Sequence, residues 1–176
     1  MRILLNVAIF YAGWFASVIA AAHGLPWAPA AGLLVVALHL AFVHRPLPEL
    51  KLAIAAGLAG LAAEALLMWT GVARYALPGP FAGLPPAWLV GLWMAFATTL
   101  NVSLGWLKPR LMLAAVLGLL VAPVSYYAGE RLGGMTLAEP QLQSLAAVGL
   151  VWAAAFPLLV VLARRWDGAG SPATPG

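Results

Sequence analysis

Long apolar stretches alternate with short polar or proline-rich connections along the whole chain, and this pattern predicts six membrane-spanning helices. The predicted helices cover residues 3–22, 26–43, 50–70, 86–107, 110–128 and 142–163. Each is close to the roughly 20 apolar residues that a helix needs to cross the hydrocarbon core of a bilayer. We therefore expect an all-α, polytopic membrane protein, with a six-helix transmembrane domain over 1–166 and a disordered tail over 167–176.

The basic residues divide unevenly between the two ends of the predicted bundle. Six spans put both termini on one side, and that side holds Arg2, Arg45, Lys51, Lys108, Arg110, Arg164 and Arg165. The opposite side holds Arg74 and Arg131. Because cytoplasmic loops carry the excess of Lys and Arg, we predict a multi-pass membrane protein with both termini in the cytoplasm.

The composition agrees with a lipid environment and excludes several kinds of chemistry. Charged residues make up 8% of the 176 residues, whereas soluble domains average about 25%. The absence of Cys excludes disulfides and thiolate ligands, and no Lys lies within a predicted span to form a Schiff base. His23, His39 and His44 fall at different depths and do not predict paired haem ligands. We expect no metal, no cofactor and no nucleic-acid partner.

Glu64 is the one acidic residue well inside a predicted span. A charge at the centre of a bilayer is costly, so we expect this side chain to face protein or water. Ala53, Gly57 and Gly60 recur at helical spacing on the same face, where small residues allow another helix to approach closely. Glu64 is therefore either a hydrogen-bonded lock between helices or a contact for a ligand, proton or substrate.

Predicted helix four carries the densest group of polar side chains in any span. Thr98 and Asn101 share one of its faces, and Asn6 of helix one and His39 of helix two are predicted at the same end of the bundle. Lipid offers an Asn amide no hydrogen-bond partner, so Asn101 must reach another helix or a hydrated cavity. The group is either a structural clamp or the polar part of a ligand site.

The opposite end of the bundle carries a second group of candidates, Arg74, Tyr127, Glu130 and Arg131. Such residues anchor helices at the membrane interface and form salt bridges between loops. They are also the residue types that hold a lipid head group in an outward-facing pocket. The sequence leaves both interpretations open.

Helix four and the residues before it resemble a known family. The resemblance rests on Pro85-Pro86-Ala87-Trp88, Leu92-Trp93, Phe96-Ala97-Thr98-Thr99-Leu100-Asn101, Ser103-Leu104 and Trp106-Leu107. Further agreement comes from Asn6, Gly13-Trp14, Pro123, Tyr127, Gly129 and Leu132-Gly133. Over about residues 3–165 the chain resembles a bacterial inner-membrane family catalogued as domain of unknown function 2878.

This resemblance implies a small polytopic membrane protein without an established activity. Members of the family accompany lipid-modifying methyltransferases of the cyclopropane fatty acid type, which implies membrane lipid and a lipid-modifying enzyme as partners. The chain departs from the family pattern at Val102, where a His is expected, and at Glu64, where an Asp is expected. The first departure removes a titratable group beside Asn101 and weakens an acid–base role there.

Three functions fit these observations. The first is a lipid- or amphiphile-handling membrane protein, either an accessory subunit or an enzyme of lipid modification, with Asn6, Thr98 and Asn101 orienting the ligand and Glu64 behind them. The second is a small proton-coupled transporter that uses Glu64. The third is an assembly or packing partner without a ligand. A co-purified lipid in a pocket beside helix four would favour the first function, and a continuous hydrated path past Glu64 would favour the second. A dry, filled core would favour the third.

Overall fold

Six α-helices make up most of residues 2–170, the part of the chain that the computed structural model describes. They are α1 (Arg2–Ala22), α2 (Ala28–Phe42), α3 (Pro46–Trp69), α4 (Ala87–Leu100), α5 (Leu111–Arg131) and α6 (Gln141–Arg165). Four of them, α1, α3, α5 and α6, are long and apolar enough to cross a membrane, whereas α2 and α4 are shorter apolar helices. The predicted all-α fold with six helices is confirmed.

Helix α3 begins at Pro46, four residues before the predicted start at residue 50. The sequence pattern places Pro46 and Pro48 in the proline-rich connection before this helix. However, Pro46 and Pro48 lie in the first turn, where a backbone N–H has no intrahelical acceptor and its absence costs nothing. As a result, Glu49 belongs to the helix rather than to a loop, and it is buried.

Helix α4 ends at Leu100, seven residues before the predicted end at 107. Asn101 follows as the C-terminal cap, and the amides of Val102 and Leu104 both donate to the carbonyl of Thr99 in a tight turn. A short 3-10 helix then covers Gly105–Leu107. The side chain of Asn101 donates to Glu49 and to the carbonyl of Trp166, and these tertiary bonds stabilise the helix end at this position.

The bundle is organised around α4, which packs against α1, α2 and α3, while α5 pairs with α6. Glycines permit the closest approaches. A Cβ atom on Gly32 of α2 would lie 2.6 Å from the carbonyl carbon of Gly91 in α4. A Cβ atom on Gly118 of α5 would lie 2.4 Å from the carbonyl oxygen of Trp152 in α6. The backbones therefore meet directly at both crossings, as in other small-residue helix contacts.

Two short strands join the loops at the end of the bundle opposite the N-terminus. Strand β1 (Ala73–Tyr75) lies between α3 and α4, and it pairs antiparallel with β2 (Met135–Leu137) between α5 and α6. Arg74 is opposite Thr136 and both are exposed, while Ala73 and Leu137 are buried. This β-ribbon fixes the two loops to each other across the top of the bundle.

Large apolar side chains cover much of the outer surface. Phe42, Met112 and Leu142 are each at least 79% exposed, on three different helices. Soluble monomers rarely expose contiguous apolar patches of more than a few hundred Å². Together with the four long apolar helices, this surface is that of a membrane protein.

The chain turns back towards α3 after α6. Asp167 accepts a 2.6 Å hydrogen bond from Nζ of Lys108, and the buried amide of Gly168 donates to Oε1 of Glu49 at 2.7 Å. Residues 167–170 are therefore held against the bundle. Residues 171–176 of the predicted tail lie outside the described part of the chain.

Candidate functional site

The carboxyl group of Glu64 is the centre of a buried polar cluster. Glu64 lies on α3, five residues before its end, and is 1% exposed. Nε1 of Trp93 donates to Oε1 at 2.8 Å, the Tyr126 hydroxyl also donates to Oε1, and the Tyr75 hydroxyl donates to Oε2. One carboxyl group thus connects α3 to α4, α5 and strand β1.

Small residues on α3 make this arrangement possible. Ala53, Gly57 and Gly60 are buried on the same side of the helix as Glu64. A Cβ atom on Gly60 would lie 2.2 Å from Cγ of Trp93. The missing side chain therefore leaves the space through which the indole reaches Glu64. Gly57 receives the side chain of Met94 in the same way.

A cavity of about 160 Å³ lies beside this cluster, and Glu64 forms part of its wall. Nine of its nineteen lining residues are aromatic: Phe10, Tyr11, Trp14, Trp88, Trp93, Phe96, Tyr126, Trp152 and Phe156. Many of these rings also pack on one another. Trp93 stacks on Trp152 with ring centroids 4.2 Å apart, and Phe96 meets Trp152 edge-on at 5.3 Å. We call this space the aromatic cavity.

The aromatic cavity opens to the side of the bundle rather than to its end. Tyr11 of α1 and Val121 of α5 both line it, yet they are 52% and 51% exposed on the outer surface. These two helices therefore form the lips of the opening. At the top, Met135 of β2 lines the cavity and Tyr75 of β1 bonds to Glu64, so the β-ribbon closes that end.

Glu64 is the one acidic side chain in the cavity wall, and no Lys, Arg or His of residues 2–170 lines the cavity. Burial, and then the neighbouring carboxyl group, raises the pKa of the Tyr75 phenol well above its ordinary value. The phenol therefore keeps its proton and acts as a donor to Glu64. The carboxyl group receives three hydrogen bonds but faces no cation from the described protein.

A second buried acid, Glu49, lies at the other end of the bundle, and the predicted helices leave it in the connection before residue 50. Its side chain is 1% exposed. Oε2 accepts a 2.9 Å contact from Nε2 of His39, while Oε1 accepts Nδ2 of Asn101 at 2.7 Å and the Gly168 amide at 2.7 Å. One sequence signal could have placed Glu49 in the helix: it is an acidic residue three positions after the proline that begins the helix, and acidic residues are common in a first turn.

Asn6 and Thr98 form a separate pair of contacts. Nδ2 of Asn6 donates to the carbonyl of Thr98 at 3.1 Å, and Oδ1 of Asn6 accepts the Ser103 hydroxyl at 2.7 Å. The Thr98 hydroxyl donates to its own helix, at Ala95. A groove of about 370 Å³ between α1 and α2 brings Asn6, His39, Thr98 and Asn101 to one surface. The predicted site residues of the spans therefore lie in two places. Glu64 lines the aromatic cavity, and the other four line this groove.

Asn101 is expected to matter more for folding than Ser103. Nδ2 of Asn101 donates to both Glu49 and the carbonyl of Trp166 at 2.9 Å, whereas Ser103 makes a single side-chain bond to Asn6. Unsatisfied buried groups cost about 1–3 kcal/mol each. We expect Asn101→Leu to lower the free energy of unfolding by about 2–3 kcal/mol and Ser103→Ala by about 1 kcal/mol or less. Reversible unfolding in mixed micelles measures both, and equal losses would contradict this ranking.

The predicted outer group does not converge on one pocket. Arg74, Tyr127 and Arg131 are exposed, and none of them lines the aromatic cavity. Glu130 instead supports the loop, because its carboxylate accepts the Leu137 amide at 2.7 Å and the side chain of Gln141. Tyr126, one residue before Tyr127, points inward to Glu64.

Residues 2–170 contain no group of three or more His, Cys, Asp or Glu side chains close enough to hold a metal ion. His39 and Glu49 form a pair without a third such ligand. The chemistry that the described side chains offer is therefore hydrogen bonding, charge and aromatic contact.

Comparison with known proteins identifies the family. No curated protein and no solved structure matches the chain. The model of a family described as "Protein of unknown function (DUF2878)" matches residues 3–158, which include all the residues lining the aromatic cavity. The resemblance carried by helix four is confirmed, and the chain belongs to the DUF2878 family of proteins of unknown function.

Proposed function

We propose that this protein binds a lipid or another amphiphile in the aromatic cavity, with Glu64 as the polar contact. The observation that supports this most strongly is a cavity of about 160 Å³ beside α4 whose wall combines aromatic side chains with one buried carboxyl group. A dry, filled core would instead favour a packing partner without a ligand. Ligand sites are commonly apolar and aromatic, with a few placed polar groups.

The lateral opening fits a ligand that comes from the membrane. The lips of the cavity, on α1 and α5, belong to helices long and apolar enough to span a bilayer. A ligand whose chain lies among lipids and whose end enters between these helices would not need to pass through water. Cavities of about 150 Å³ accept one benzene-sized group, so the cavity suits one end of an amphiphile rather than a whole lipid.

An unpartnered donor in the cavity wall also supports a ligand. The indole N–H of Trp88 is buried and has no hydrogen-bond acceptor among residues 2–170. Buried polar groups are nearly always paired, and an orphan in a native protein often marks a missing water or ligand. A water molecule, or an oxygen atom of the ligand beyond the group held at Glu64, would supply the acceptor near Trp88.

The proposed setting is the bacterial inner membrane, crossed six times. Helices α2 and α4 are about 22 Å and 21 Å long at about 1.5 Å per residue, and apolar residues beyond their ends, such as Leu25, Val43 and Leu107, extend both towards a roughly 30 Å core. The excess of Lys and Arg at the end that holds both termini supports a cytoplasmic position for that end.

Reporter fusions test this topology. Fusions after Gly71 and after Gly134 are expected to show periplasmic alkaline phosphatase activity, because those loops carry few basic residues. Fusions after Arg45, Lys108 and Arg165 are expected to fluoresce with a cytoplasmic green fluorescent reporter. A fluorescent, phosphatase-negative fusion at Gly134 would contradict six spans.

A binding titration tests the proposed function. The protein is reconstituted in bilayers of uncharged digalactosyl diacylglycerol and titrated with dodecanol, dodecanoate and dodecyltrimethylammonium, while tryptophan fluorescence is recorded. Because four Trp side chains line the cavity, we expect a saturable change with at least one probe. Ala122→Phe should abolish it by filling the cavity, and Val124→Phe, on the exposed side of the same helix, should not. If no probe gives a saturable change that Ala122→Phe removes, the proposed function is refuted.

A further inference from the structure

We infer, on the basis of the proposed function, that the end of the ligand held in the aromatic cavity is an ammonium cation. The inference rests on the combination of one carboxyl group, several aromatic rings and no basic residue in the same wall. The carboxyl group and the lack of a basic residue disfavour an anion, and the rings add a second contact for a cation.

The charge of the wall excludes an anion. Glu64 accepts hydrogen bonds from Tyr75, Trp93 and Tyr126, and donors directed at a carboxyl group favour its ionised form. No Lys, Arg or His among the described residues lines the cavity to balance that charge. The basic residue nearest in sequence, Arg74, follows the buried Ala73 but lies on the exposed face of β1. A carboxylate or phosphate on the ligand would meet like charge in a low-dielectric space.

The aromatic rings provide a second contact for a cation. Two of the three side chains that donate to Glu64, Trp93 and Tyr126, also line the cavity, so a cation beside the carboxylate lies next to their rings. Cations are attracted to the faces of Trp, Tyr and Phe within about 6 Å, most strongly where water is excluded. Trp93 and Trp152 extend the aromatic surface from Glu64 along the cavity.

Hydrogen-bond capacity and size favour a substituted ammonium group. Oε1 of Glu64 already accepts two donors and Oε2 accepts one, so little capacity is left for the N–H groups of a primary amine. A quaternary group needs no hydrogen bond, and its methyl groups pack against rings. The cavity of about 160 Å³ is large enough for one such compact group and opens to the side where an acyl chain continues.

The three dodecyl probes separate this inference from the proposed function. In the uncharged bilayer no lipid supplies an ammonium group, so any preference belongs to the probe. We expect dodecyltrimethylammonium to bind about tenfold more tightly than dodecanol, and dodecanoate more weakly than either. Glu64→Gln, which keeps the shape and the acceptor oxygen, should reduce the preference to about threefold or less, the part that the rings supply.

Each outcome bears on the inference. If dodecanol or dodecanoate binds as tightly as dodecyltrimethylammonium, the ammonium inference fails while the proposed function stands. If the preference survives unchanged in Glu64→Gln, the carboxylate is not its source and the inference also fails. If no probe binds in a way that Ala122→Phe abolishes, the proposed function itself fails. Val124→Phe serves as the control for added bulk in every titration.

Discussion

Replacing Glu49 by leucine is expected to lower the free energy of unfolding by about 3–5 kcal/mol, the loss typical of removing one partner from a buried polar pair. Glu49 holds together three separate parts of the chain: His39 on α2, Asn101 after α4 and Gly168 after α6. Leucine offers none of them an acceptor. Three donors would lose their common acceptor at the same place, and the buried amide of Gly168 would be left without a partner.

The measurement for Glu49→Leu is reversible unfolding in mixed micelles, followed by tryptophan fluorescence. Glu139→Leu is the matched control, because Glu139 is exposed and its carboxylate serves one backbone amide, that of Gln141. We expect the control to lie within about 0.5 kcal/mol of the natural chain. An unfolding midpoint for Glu49→Leu equal to that of the control would show that the cluster contributes nothing to stability.

Replacing Glu64 by leucine is expected to cost about 3 kcal/mol or more, for a related reason. Tyr75, Trp93 and Tyr126 would lose their common acceptor inside the bundle. Glu64→Gln keeps an acceptor oxygen of the same reach, so we expect a loss of about 1.5 kcal/mol or less. The difference between the free energies of unfolding of the two variants measures the contribution of hydrogen bonding separately from that of side-chain size.

Unfolding of both Glu64 variants, together with the circular dichroism of the folded state, provides the measurement. Equal destabilisation of the Gln and Leu variants would contradict the acceptor role assigned to Glu64. The folded Gln variant is the one used in the binding titrations, because the fold is then intact and a change in ligand preference is due to charge.

The burial of Glu64 was predictable, whereas its partners were not. The spacing of Ala53, Gly57 and Gly60 placed the carboxyl group on a small-residue face, and helical periodicity is a local property of the sequence. Its partner Tyr75, however, reaches it through a β-ribbon whose strands are about 60 residues apart in sequence. A three-residue strand carries too little alternation to be recognised, and pairing at that distance depends on the packed bundle.

Glu49 shows the opposite case, in which a local rule was applied too strictly. Two prolines beside it predicted a break in the helix, although proline in a first turn is compatible with one. The end of α4 was missed because Asn101 and Ser103 are followed by more apolar residues that continue the pattern. What ends the helix there are the tertiary hydrogen bonds to Glu49 and Asn6, and no sequence window contains both partners.

The sideways opening between α1 and α5 changes what concentration means for the proposed ligand. An amphiphile that enters through these lips has first partitioned into the hydrocarbon layer, so the quantity that sets occupancy is its mole fraction among the lipids. Adding more bilayer at constant total ligand should therefore empty the cavity, even though protein and ligand remain in the same volume of buffer. Dissociation constants for this protein are properly expressed per lipid rather than per litre.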